Sequence, residues 1–217
     1  MKIPALFRFT VPAALAMAAA PMTAQMPTEA PDKMDKARVT AGTYQADPLH
    51  SLIGWRLNHL GFNDYFGLFG DVTGTLVLDP ANLAAAKVTA TIPVSKIITA
   101  NAELTAHLLK PAPVGGKADF FGASPADATF VSTGVEPTAD GMGATVKGNL
   151  TLNGMTRPVA IATTFAGAGP SPMTGMQTVG FHGRTTINRA DFGLGYGVPM
   201  VSDKVDLEIT MAFEKKG

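Results

Sequence analysis

"ATVKGNLTLNG" (residues 144–154) and "RPVAIATTF" (residues 157–165) together decide the fold. In the first, Val146, Gly148, Leu150 and Leu152 alternate with Thr145, Lys147, Asn149 and Thr151. Side chains of an extended strand point to opposite faces in turn, so this period of two describes a strand with one buried face. Asn153 and Gly154 follow, and both residue types tolerate positive φ. The pair predicts a tight hairpin turn. The return strand places Val159, Ile161, Thr163 and Phe165 on one face.

The same period runs outward in both directions. "SLIGWRLNH" (residues 51–59) has Ser51, Ile53, Trp55, Leu57 and His59 on its apolar face. "DVTGTLVLD" (residues 71–79) aligns Val72, Gly74, Leu76 and Leu78. "KVDLEITMAFE" (residues 204–214) aligns Val205, Leu207, Ile209, Met211 and Phe213, with Lys204, Asp206, Glu208 and Glu214 opposite. Further strands are expected at residues 87–93, 128–135 and 176–188. One stretch breaks the pattern. "TANAELTAHLLKP" (residues 99–111) reads as a short helix, capped by Asn101 or Thr99, with Glu103 at its positive end and Pro111 as its stop. The stretch after it, "KPAPVGGKADFFGASP", reads as a long irregular loop. About eight closely spaced strands with one helix predict an all-β antiparallel sheet with one face buried. Eight strands suffice to close a barrel, and a sandwich fits the pattern equally. Glycines inside strands, at Gly54, Gly74, Gly148, Gly180 and Gly183, leave room for sharp curvature or close approach.

Composition narrows the function classes. Residues 1–24 carry Lys2 and Arg8, then a short apolar run, then small residues, the layout of a cleaved signal peptide. The apolar run is shorter than the roughly 20 residues that cross a bilayer. Export to the periplasm or the medium is the expectation, with cleavage after Ala24 and no stable membrane anchor. Residues 25–42 are polar and aperiodic and read as a flexible leader, which leaves residues 43–217 as one domain. Cysteine is absent, which excludes disulfides, lipid attachment at an N-terminal cysteine, iron–sulfur clusters and thiolate zinc sites. With 17 basic and 17 acidic residues the chain lacks the basic footprint of a nucleic-acid binder. A 46% apolar content suits a domain held together by hydrophobic burial.

Several blocks, in order, resemble the YceI-like family of exported polyisoprenoid-binding proteins. "YQADPLHSLIGWRLNHLG" resembles its opening, with Asp47, His50, Ser51, Trp55 and His59 at the motif positions. "GLFGDVTGTLVLD", "GNLTLNGMTRPV", "INRADFG" and "VSDKVDLEI" resemble the later blocks, so the likeness covers residues 43–213. The resemblance implies a single extended, lipocalin-like, eight-stranded antiparallel barrel with one short helix. It also implies a long internal apolar tunnel for an isoprenoid chain, such as a quinone tail or a polyprenyl phosphate. The chain departs from the family around the helix, where Leu104, Thr105 and Ala106 precede His107-Leu108 and Gly122 follows the double Phe. "KPAPVGGKAD" there resembles an insertion. The mouth of the tunnel is expected in this region.

On that resemblance the inward apolar residues become candidate tunnel wall: Ile53, Trp55, Leu57, Val72, Leu76, Leu78, Phe130, Val146, Leu150, Leu152, Ile161 and Phe165. His59, on the apolar face of its strand, and His107, on the helix, are the head-group candidates. No metal site is expected. His50 and His59 are nine residues apart, an odd spacing that puts them on opposite faces of a strand about 30 Å apart at roughly 3.3 Å per residue. Structural hydrogen bonding is the ordinary reading for both. Ser51 beside His50 is no nucleophile–base pair, since neighbours on a strand point apart. Arg189 and Asp191 read as a structural ion pair, and "GLGYG" (residues 193–197) as a turn-rich loop. The expected function is a non-enzymatic carrier, storage or sequestration protein for an isoprenoid lipid. It needs no cofactor beyond that ligand, and transient membrane contact and a homodimer accompany the expectation. The alternatives are an enzyme acting on such a lipid near His59 or His107, and a stress-linked interaction protein whose lipid is structural.

Overall fold

The computed structural model describes Ala30 and residues 33–216. The segment read as a signal peptide lies outside them. Eleven strands and one helix follow: β1 Gly42–Ala46, β2 Leu52–His59, β3 Asn63–Phe69, β4 Thr73–Leu78, β5 Lys87–Ile92, β6 Ile98–Thr99, α1 Ala102–Leu108, β7 Ala128–Pro137, β8 Gly143–Leu152, β9 Met155–Pro170, β10 Gln177–Asn188 and β11 Lys204–Lys215. Every pairing is antiparallel. The sheet runs β1–β4–β5–β7–β8–β9–β10–β11, and β11 pairs back to β1. This closes an eight-stranded barrel, and closure removes the sheet edges that a sandwich would leave.

The closing strand is β1, which the sequence pattern did not separate from β2. β11 is long enough to serve both. Its end at Phe213–Lys215 pairs with β1, and its middle, Asp206–Thr210, pairs with β2. β2, β3 and β6 branch from β11 as a flap that is not part of the closed ring but packs Ile53, Trp55, Tyr65 and Phe69 against the same core. The break between β1 and β2 is the turn that carries the His-Ser motif. Asp47 accepts from the Leu49 amide at 3.0 Å and meets His50 Nδ1 at 2.5 Å. His50 therefore belongs to a turn rather than to a strand face. Ser51 is buried, accepts from the Ala212 amide at 3.1 Å and donates to the Ala212 carbonyl at 3.3 Å. The Asp47 amide also donates to the Ala212 carbonyl at 2.9 Å, so the Ser51 hydroxyl serves chiefly as the partner of the Ala212 amide at the break.

The decisive hairpin forms as its pattern predicts. Leu152 pairs with Met155 across Asn153 and Gly154, whose φ values are 51° and 75°. The helix is shorter than its sequence window, with the Asn101 side chain accepting from the Leu104 amide at 2.9 Å. Ala128, Phe130 and Leu152 are buried on the inner faces of β7 and β8, and Phe165, Val179, Met211 and Phe213 on those of β9, β10 and β11.

Candidate functional site

A cavity of about 510 Å³ runs inside the barrel. Its wall follows from strand parity. β4 contributes Leu76 and Leu78, β5 Val88, Ala90 and Ile92, β7 Phe130 and Val135, β8 Val146 and Leu150, β9 Val159, Ile161 and Phe165, and β11 Leu207, Ile209, Met211 and Phe213. β10 adds Phe181, Gly183 and Thr185, and Ile53 of β2 and Val72 before β4 also face it. No aspartate or glutamate lines it among the described residues, and its ionisable neighbours are Lys36, Lys87 and His182. Part of the wall is shaped by Gly148, where a β-carbon would stand 2.3 Å from Phe130 Cζ. The phenyl ring occupies the space that any larger residue would need.

The two ends of the cavity differ. Toward the α1 end the lining stops at Val72, Ile92, Leu150, Val159 and Leu207. Beyond them Leu152, Ile187, Phe192, Leu194 and Val205 are all buried and pack as core. At the opposite end the lining is Pro80, Leu83 and Ala86 of the β4–β5 connection, Gly141 and Met142 of the β7–β8 turn, and Lys36, Ala37 and Val39 ahead of β1. The cavity therefore reaches the barrel end away from the helix, not the helix end where the mouth was expected.

Nine sequence candidates line this cavity: Ile53, Val72, Leu76, Leu78, Phe130, Val146, Leu150, Ile161 and Phe165. Trp55, Leu57, Leu152, His59 and His107 do not, and each departure has a geometric cause. β2 leaves the ring to pair with β3, so its outer half lies past the closed end. There Trp55 is buried in the hydrophobic cluster and Leu57 packs against it. The Trp55 indole nitrogen is buried without a hydrogen-bond partner. Trp55 instead meets a separate hollow beside the flap, shared with Arg56, Phe66, Leu68, Ile98, Asp206 and Glu208. Leu152 is core. His59 is exposed at the flap tip, bridged to Val201. His107 lies on α1, 2.9 Å from Asp119 and stacked edge-on to Phe120 and Tyr196. The wall residues of β11 and β5 carry the same alternation as the chosen ones and were legible on that signal. Ala37, Val39, Leu83 and Met142 come from connections, where no period marks them.

Arg189 and Asp191 do not pair. Arg189 is buried, and its guanidinium donates to the Ser202 and Tyr196 carbonyls at 2.9 Å, to Val201 at 2.8 Å, and to Leu194. Burial pulls it below its ordinary pKa, against the opposing charge of Asp203. It organises the loop that contains "GLGYG" and closes the α1 end.

A family model described as the YceI-like domain matches residues 44–213. The chain belongs to the YceI-like family. A UPF0312 protein of Pseudomonas fluorescens is 37% identical over 180 residues, covering 80% of this chain and 87% of that one. A UPF0312 protein of Pseudomonas aeruginosa is 35% identical over 200 residues, covering 92% and 94%. Among solved structures, Burkholderia cenocepacia BcnA superposes with a TM-score of 0.63 at 26% identity, over 77% of this chain and 98% of that one. A polyisoprenoid binding domain from Saccharophagus degradans shares the fold at a TM-score of 0.58 and 13% identity, over 80% and 98%. The YceI-like barrel is thus the frame on which this chain builds its own cavity.

Proposed function

We propose that the protein binds a long-chain polyisoprenoid, of the quinone-tail or polyprenyl phosphate type, inside the barrel. It then acts as a periplasmic or secreted carrier, storage or sequestration protein. The observation that carries this reading is the cavity itself, with its mainly aliphatic and aromatic wall, free of carboxylates among the described residues. Its volume of about 510 Å³ falls in the range of ligand sites. Burying an apolar chain is favourable by about 0.8 kcal/mol per CH₂, up to the ceiling of non-covalent affinity. A greasy tube therefore suffices for binding without further chemistry. The polyisoprenoid-binding name of the S. degradans domain on the same fold supports the ligand class.

A carrier fits better than an enzyme. Among the described residues the His–Asp pairs that could move a proton, His50–Asp47 and His107–Asp119, both lie outside the cavity lining. An acid–base pair must come within hydrogen-bond reach of the reacting atom, directly or through one water. Native mass spectrometry with lipid extraction, on protein recovered from its own host, tests the reading. The expected result is a copurifying isoprenoid. Straight-chain fatty acids alone, or an empty protein that takes up no isoprenoid from vesicles, would overturn it.

A further inference from the structure

Residues 33–40, read from sequence as the end of a flexible leader, cross the open end of the barrel. We propose that they form a strap that gates the cavity, so that ligand enters and leaves beneath it. The inference rests on the lipid-binding reading and adds a route to it.

Three observations point there. First, the α1 end of the cavity is filled by packed core, whereas the other end is walled by connections and by Lys36, Ala37 and Val39. A chain threading into the barrel from this end passes the strap and the two connections rather than packed core. Second, the strap is held by polar ties at its surface, and of its side chains only Val39 packs against the hydrophobic core. Lys33 exchanges two backbone hydrogen bonds with Ala168, at 3.2 and 3.0 Å, where β9 has run beyond its pairing with β8. The Gln177 amide donates to the Arg38 carbonyl at 2.9 Å, and the Lys36 ammonium donates to the Asp140 carbonyl. The short 3₁₀ turn Lys36–Arg38 buries none of its residues. A segment with little buried apolar area and exposed hydrogen bonds belongs to the part of a protein that opens locally at small cost. Third, the strap has a firm root. The Tyr44 hydroxyl donates to the Thr40 carbonyl at 2.6 Å, Lys215 donates to the Thr40 hydroxyl at 3.0 Å, and Tyr44 is fully buried in β1. Opening therefore hinges near Thr40 and leaves the closing strand in place. Val39 and Ala37 then act as movable wall, sealing the apolar chain from water once it is inside.

The test locks and loosens the strap in the full chain. The chain has no cysteine, so Lys33→Cys with Ala168→Cys introduces the only thiols, at two residues that face each other across an antiparallel bridge. Transfer of a long-chain isoprenoid quinone from phosphatidylcholine vesicles is followed by extracting the separated protein. The oxidised variant, verified by thiol titration, is expected to load at least ten times more slowly than the same protein after reduction. Equal rates in the two states would overturn the gate. The variant Lys36→Ala with Gln177→Ala removes two ties and needs no cross-link. It is expected to release quinone several-fold faster with an unchanged melting temperature, and an unchanged release rate would also count against the strap. Wild-type protein that takes up no quinone would defeat the lipid reading, whereas uptake insensitive to both variants would defeat the strap alone.

Discussion

Trp55 lies over Gly67. A β-carbon at Gly67 would stand 2.1 Å from Trp55 Cζ2, and 2.7 Å from the backbone oxygen of Ile98 on its other side. The two residues face each other across β2 and β3, so the indole fills the space that glycine leaves on the neighbouring strand. Neither the indole nor the β6 backbone can yield cheaply. Gly67→Ala is therefore expected to cost about 1–3 kcal/mol, as overpacked sites do. The midpoint of urea denaturation checks this, and an unchanged midpoint would mean that the indole moves aside from the new methyl group without cost.

Ser51 completes β11 where β1 and β2 part. Its hydroxyl is the partner of the Ala212 amide, and the residue is 2% exposed, so water cannot replace it without a rearrangement. Ser51→Ala leaves a buried donor unsatisfied, at an expected cost of about 1–3 kcal/mol. Faster hydrogen exchange at Ala212, at the junction of the closing strand and the flap, should accompany the loss. Protection equal to wild type at that amide would remove Ser51 from this role.

A carboxylate couples β10, β11 and β2. Asp206 accepts from the Thr186 hydroxyl at 2.7 Å and from Arg56 at 2.7 Å. The Thr186 bond first, then Arg56, holds its pKa below the usual carboxylate value. A depressed pKa in the folded state contributes stability above the unfolded value, near pH 4, and loses it as pH falls through the folded value. Asp206→Asn should thus be less stable than wild type at pH 7, with the difference shrinking below about pH 4. The Asp206 and Arg56 side chains are both about half exposed, so added salt should weaken the Arg56 share. A stability difference independent of pH would show that the carboxylate charge is not involved.

The barrel was legible because its long strands are half-buried and alternate cleanly. The strands that the pattern missed lack that contrast. In β3, "NDYFGLF", Tyr65, Gly67 and Phe69 alternate with Phe66 and Leu68, so both faces are apolar and the period vanishes. β6 has two residues, too few for any period. The cavity was legible only in part, for a deeper reason. Leu150 and Leu152 share a strand and a face, yet one lines the cavity and the other is core. Alternation reports which way a side chain points, not whether anything meets it there. The open end was misplaced toward the helix because its wall comes from connections and from a segment whose polar composition resembles a leader.

That pair of leucines gives the sharpest test of the cavity. Truncating a core leucine removes its transfer energy and leaves a new hole, so Leu152→Ala is expected to cost about 2–5 kcal/mol. At Leu150 the hole already exists. Leu150→Ala should lose only the transfer term, about 2 kcal/mol for the methylene-sized groups removed. Enlarging the residue reverses the order. Leu150→Trp projects into open space, so the protein should keep its fold and take up less isoprenoid quinone from vesicles. Leu152→Trp has no such space and should overpack by at least the 1–3 kcal/mol typical of such changes. Urea midpoints of lipid-stripped protein, with quinone uptake measured alongside, separate the two positions. Equal losses at Leu150 and Leu152 on truncation, with uptake untouched by Leu150→Trp, would mean that the barrel interior is an ordinary core.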